Sequence, residues 1–107
     1  MPQRKEKTTM KNEGDVKRKV RAVINSVGGS YHFMPPANGY GRSGIPDIVG
    51  QVDGKFFAVE TKFGNNKPTA NQEREIMHIR EAGGQAWVVS DRNLEAWSIE
   101  FKDWANS

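Results

Sequence analysis

The chain has 107 residues, room for one domain with one modest core, because a chain of this length hides only about two thirds of its unfolded surface. Sixteen Lys and Arg against thirteen Asp and Glu leave a formal net charge of +3, a mild excess that suits a polyanion without requiring one. The absence of cysteine excludes disulfides and thiolate zinc sites, and His32 and His78 are too few for a histidine-rich centre, so any metal must be held by oxygen.

Residues 1–12 are polar, charged and aperiodic and are expected to be a flexible basic tail, with residues 13–107 forming a single domain. No apolar run approaches the roughly 20 residues that cross a bilayer, and the opening "MPQRKEKTTMKNEG" has no signal-peptide apolar segment. The expected chain is soluble and cytoplasmic, with no membrane partner. Val16, Val20, Val23, Ile24 and Val27 then recur at helical spacing. Asn12 can cap this helix, Glu13 and Asp15 suit its positive end, and Gly28-Gly29 should end it.

"SYHFM" has the alternation of a brief strand, with Tyr31 and Phe33 on one face. "PPANGYGRSG", residues 35–44, is loop, since its prolines and glycines break helix and ladder alike. Its Tyr40 and Arg42 have the chemistry to stack on a base or grip a phosphate, or are ordinary loop residues. In "GIPDIVGQVDGKFFAVETK", residues 44–62, Asp53-Gly54 suits a two-residue type I′ turn between two strands. "FGNNKPTANQ" leads into a second helix, with Thr69 as N-cap and Gln72 completing a capping box. Ile76 and Ile79 continue that helix's apolar face, and Gly83-Gly84 terminates it. "QAWVVS" reads as a buried strand. Asp91 can cap a last helix whose Leu94, Trp97, Phe101 and Trp104 form an aromatic stripe suited to the core. The order is helix, three strands, helix, strand, helix: a mixed α/β domain with a hairpin at its centre.

Counting outward from Asp53-Gly54 pairs Val52 with Lys55, Gly50 with Phe57, Ile48 with Val59 and Asp47 with Glu60. The two carboxylates are then expected as cross-strand neighbours, about 4.5–5.5 Å apart at Cβ, with Lys62 diagonal to Asp47. Like charges facing one another at that range repel by roughly 3 kcal/mol at an effective dielectric near 20. A shared proton or a bound cation relieves this, and Mg²⁺ suits two carboxylates plus water; Lys62 closing an ion triad is the purely structural alternative.

"IPD" at residues 45–47 and "ETK" at 60–62 resemble the PD-(D/E)XK nuclease signature. The loop "GYGRSGIPDIVG", the strand "FFAVETK", the following "TANQ" and the glycine-rich helix end resemble its virus-type replication and repair nuclease (VRR-NUC) branch, over residues 13 to about 90. The resemblance implies a restriction-endonuclease-like αβββαβ core, a mixed central sheet flanked by helices. It implies a Mg²⁺-dependent endodeoxyribonuclease, with Mn²⁺ as a substitute and no nucleotide cofactor. Asp47 and Glu60 would be metal ligands, the Thr61 carbonyl a third oxygen, and Lys62 the residue serving the water. Gln72 would support the site besides its capping role, and Glu13 would complete it, although an acid there is also an ordinary helix-dipole partner. Tyr40, Arg42, Ser43, Lys67 and Arg74 are the candidate DNA-binding residues. The expected substrate is branched DNA such as a four-way Holliday junction, cut by a homodimer in phage or bacterial DNA repair. The alternatives are a monomeric nuclease of flap, nicked or single-stranded DNA, and a non-catalytic DNA-binding module.

Overall fold

The computed structural model describes residues 9–36 and 42–107; the first eight residues of the expected tail, and Tyr40, lie outside the described residues. The elements follow the expected order: α1 (Glu13–Asn25), β1 (Ser30–Phe33), β2 (Ile48–Val52), β3 (Lys55–Thr61), α2 (Ala70–Glu81), β4 (Gln85–Val89) and α3 (Leu94–Ala105). They build one sheet in the order β1-β2-β3-β4, antiparallel except where β4 runs parallel to β3. The turn between β2 and β3 has φ of 50° at Asp53 and 87° at Gly54, the double left-handed geometry of type I′. It sets the expected pairs Val52 with Lys55, Gly50 with Phe57 and Ile48 with Val59.

Strand alternation divides the core between the two faces of the sheet. Ile48, Val52, Phe57, Val59, Trp87 and Val89 point to one side, where they meet Val16, Val20 and Ile24 of α1 and Trp97 and Phe101 of α3. Ala58 and Ala86 point to the other, under Ile76 of α2 with Val49, Ile79 and Val88 at the margin. The small alanines let α2 settle close to β3 and β4. Phe101 is fully buried and anchors an aromatic cluster, with ring centroids 5.1 Å from Phe57, 5.6 Å from Trp87 and 5.1 Å from Trp97. Lys55 Nζ lies over the Trp104 ring and donates to the carbonyls of Trp104 and Ser107 at 2.7 and 3.1 Å. A cation thus closes the negative end of α3.

Two helix ends differ from expectation. α1 stops at Asn25, before the glycines, because Ser26 caps it: its N–H bonds the Ala22 carbonyl and its hydroxyl donates to the Val23 carbonyl at 2.6 Å. Val27 leaves the helix yet still packs on the core. Asp91 does not cap α3, whose N-cap position is Asn93; its Oδ1 instead accepts the Gly64 N–H at 2.8 Å, joining the two loops at that end of the sheet. Among the described residues no helix is long and apolar enough to cross a membrane.

Truncating Phe101 to Ala removes the ring that joins β3, β4 and α3, and should destabilise the domain by about 3–5 kcal/mol. Urea unfolding monitored by tryptophan fluorescence checks this, against a loss below about 1 kcal/mol for the exposed Ile99→Ala.

Candidate active site

Asp47 reaches the end of the sheet through a loop fastened to α2. Arg42 Nε donates to Glu75 Oε2 at 2.5 Å, and Asn71 Nδ2 donates to the Ser43 hydroxyl at 2.7 Å. Gly44 has φ +87°, and a Cβ there would lie 2.4 Å from the Asn71 carbonyl oxygen; no side chain fits between loop and helix. Pro46 is buried behind it.

The ladder ends at Ile48 with Val59, so Asp47 and Glu60 are not the flat cross-strand pair expected from the register. The chain bends at Asp47. Its Oδ2 accepts both the Thr61 N–H at 2.9 Å and the Thr61 hydroxyl at 2.7 Å. The reason is the strand end: β3 runs past β2, and the buried Thr61 N–H needs an acceptor, which the carboxylate supplies. The other Asp47 oxygen lies 3.9 Å from Lys17 Nζ of α1. Thr61 is itself fully buried.

Glu60 closes β3 with only 2% of its surface exposed. Its Oε2 is 3.4 Å from Lys62 Nζ, while Oε1 is buried without a hydrogen-bond partner. Burial pushes its carboxyl up to about 7; Asp47 adds to the rise, Lys62 opposes it, and Glu13 contributes a smaller push in the same direction. Lys62 thus pairs with Glu60. Glu13 is the first residue of α1, whereas Asp15 is spent locally, accepting from the Lys11 N–H and pairing with Arg18.

The acid pair is chemically incomplete. Among the described residues no three Asp, Glu or His side chains gather closely enough to hold an ion by themselves. Two carboxylates with backbone oxygen and water are the donor set of a hard divalent ion, and the orphaned Glu60 Oε1 is an acceptor that such an ion would satisfy. The residues present fit one.

The other candidates are placed as follows. Gln72 is half-buried and makes the capping box, its Oε1 accepting the Thr69 N–H at 2.9 Å and its own N–H reaching the Thr69 hydroxyl at 3.2 Å. Lys67 and Arg74 are exposed, Arg74 donating to Asn71 Oδ1 at 2.8 Å. Arg42 is exposed but committed to Glu75, and His32 is half-buried and accepts from Arg21 Nε at 3.1 Å. Glu75, with 8% of its side chain exposed, was missed. The signal was present: it stands three residues after Gln72 and beside Ile76, on the inward side of α2.

The raised Glu60 carboxyl makes stability depend on pH. It titrates near 4.5 when unfolded and near 7 when folded, so its contribution is complete below pH 4.5 and is lost as pH rises through 7. In chelator the wild type should lose on the order of 3 kcal/mol across that window relative to Glu60→Gln. Urea titrations of both proteins at pH 4.5 to 8 measure it; a constant difference between them overturns the assignment.

No family model matches the chain. It is 31% identical over 86 residues to "Putative nuclease p44" of Acyrthosiphon pisum secondary endosymbiont phage 1, an alignment covering 78% of this chain and 88% of the relative. A solved structure described as "VRR_NUC domain" superposes with a TM-score of 0.65 at 29% identity, over 78% of this chain and 90% of that one. With its mixed four-stranded sheet flanked by helices, the chain belongs to the VRR-NUC family of nuclease domains.

Proposed function

We propose that the chain is a divalent-metal-dependent, structure-selective DNA endonuclease. One observation carries the reading: the buried, unpartnered Glu60 Oε1 beside Asp47, with Lys62 Nζ on the same carboxylate. Asp47 and Glu60 would hold Mg²⁺, or Mn²⁺ in its place, with the Thr61 carbonyl as a further oxygen and Glu13 adding negative charge from the start of α1. When bound, the ion supplies the positive charge that polarises a phosphoryl oxygen and lowers the pKa of an attacking water.

The chain's own residues do the rest. Thr61 fixes the Asp47 carboxylate through two hydrogen bonds, so no reorganisation is needed when substrate arrives. Lys62 orients the water and offsets charge developing on the phosphate. Gln72 supports the site from the first turn of α2. Lys67 and Arg74 on the exposed rim, with Ser43, Tyr40 and Arg42, whose contact with Glu75 is through Nε, grip phosphates through salt-sensitive contacts that carry no base information. Selection is therefore by DNA shape, and the proposed substrate is branched DNA. A two-fold homodimer presents two cutting centres to a four-way junction.

Asp47→Ala and Glu60→Ala should each lower cleavage in Mg²⁺ by about 10³-fold or more, and EDTA should abolish it in the wild type. Undiminished turnover in either variant removes the metal mechanism. Lys62→Ala should reduce kcat more than KM; a loss confined to KM makes it a phosphate clamp. Cleavage of matched junction, flap and linear substrates, beside sedimentation of the free protein, separates a junction-cutting dimer from a flap-cutting monomer.

A further inference from the structure

The sheet face that carries Glu60 is covered only in part. Alternation and register arrange it in rows: Tyr31, Gln51 and Phe56 in one, and Phe33, Val49 and Ala58 in the next, with Glu60 two residues further along β3. α2 packs over Ala58, Ala86 and Val88 of β3 and β4, leaving β1 at the sheet edge. There Tyr31 is 61% and Phe33 49% exposed, their rings 6.5 Å apart. Phe33 pairs with Val49, two residues from Asp47 and one strand over, which places it about 8 Å from the Asp47 backbone and, across one more strand, about 12 Å from that of Glu60.

We propose that Tyr31 and Phe33 form a stacking platform for unpaired bases of the DNA substrate, next to the cutting centre. This rests on the nuclease reading above and adds what that reading lacks, a way to recognise a branch. Phosphate contacts hold any duplex alike, whereas the face of an aromatic ring is open only to a base that has left its stack. The ring separation is about twice the 3.4 Å rise per nucleotide along the axis of a duplex strand, so each ring receives one base of a drawn-out strand. Continuity with Asp47 and Glu60 names the occupant. A strand whose phosphate lies at the acids finds these exposed rings on the same face of the sheet, and a second protein copy seated on the same rows would cover that approach. Tyr31 also brings a hydroxyl that stays solvated beside a bound base.

The test reads binding in EDTA, by fluorescence anisotropy of the full chain, with three probes: an oligothymidine of about ten nucleotides, a blunt duplex, and the same duplex with an unpaired thymidine arm. Tyr31→Leu/Phe33→Leu keeps apolar bulk and removes both ring faces. It should weaken oligothymidine and armed-duplex binding by about 25-fold or more, at about fivefold or more per ring, and change blunt-duplex binding by less than about twofold. Tyr31→Trp/Phe33→Trp should restore the loss. With the wild type alone, photo-crosslinking of an iodouracil-substituted arm should map to Tyr31 or Phe33. Equal losses on all three probes, no loss on any, no rescue by tryptophan, or crosslinks solely elsewhere overturn the proposal. So does a fall in sedimenting mass of the free leucine variant, which would make the patch a subunit contact. Binding without metal does not involve Asp47 or Glu60 as ligands, so a protein that holds the arm yet fails to cut in Mg²⁺ refutes the metal mechanism and leaves the platform standing.

Discussion

The candidate site depends on one carboxylate, Glu60, buried at the end of the central strand. β3 is buried without interruption from Phe57 to Thr61, and the apolar packing that makes it the centre of the sheet also removes water from Glu60. An ionised carboxylate so placed is costly unless something positive comes to it. Lys62 comes only to one oxygen, at a separation longer than a good hydrogen bond. The site is thus built with an unmet demand for positive charge, and the fold tolerates it because Phe57, Val59 and the aromatic cluster beneath hold the strand in place regardless.

The second acid is placed by different means. Asp47 lies beyond the paired part of β2, so the ladder does not fix it. Its position follows from the loop before it, laid on α2 through Arg42 with Glu75, Ser43 with Asn71, and the close approach of Gly44 to the Asn71 backbone. The two Thr61 bonds then complete the orientation. α2 accordingly has two duties, covering the sheet with Ile76 and Ile79 and holding the loop that delivers Asp47. A carboxylate such as Glu75, nearly buried and met by an exposed arginine, is weak support for global stability; its use is to make one loop conformation preferable to others.

What was legible in the sequence were features whose signal is local. The Asp53-Gly54 turn fixed the register because two adjacent left-handed residues leave few alternatives. The Thr69 and Gln72 capping box and the periodicity of α1 and α3 likewise need only a few consecutive residues. From the register alone Asp47 and Glu60 were expected near one another, and they are. The bend that turns Asp47 toward Thr61 was not legible, since it arises from where β2 stops relative to β3. Nor were the approach of Lys17 to Asp47 or the engagement of Arg42 by Glu75, 33 residues away in sequence. Such contacts depend on how separately formed elements dock, which no single stretch records. Lys55 closing α3 belongs to the same class, and so does Asp91, whose sequence position suits a cap but whose carboxylate is taken by Gly64.

The identity of the cations around the acids follows the same logic. The carboxyl groups of Glu13, Asp47 and Glu60 are faced by two lysines, Lys17 and Lys62. An arginine in either place would grip a carboxylate through two parallel hydrogen bonds and occupy the oxygens that an ion requires. A lysine ammonium is a point charge on a flexible stem, able to lower the local field and to shift when a ligand enters. The arginines here are turned elsewhere: Arg18 to Asp15, Arg21 to His32, Arg42 to Glu75 and Arg80 to the Ala86 carbonyl. Lysines thus stand beside the acids, while these arginines hold fixed contacts elsewhere.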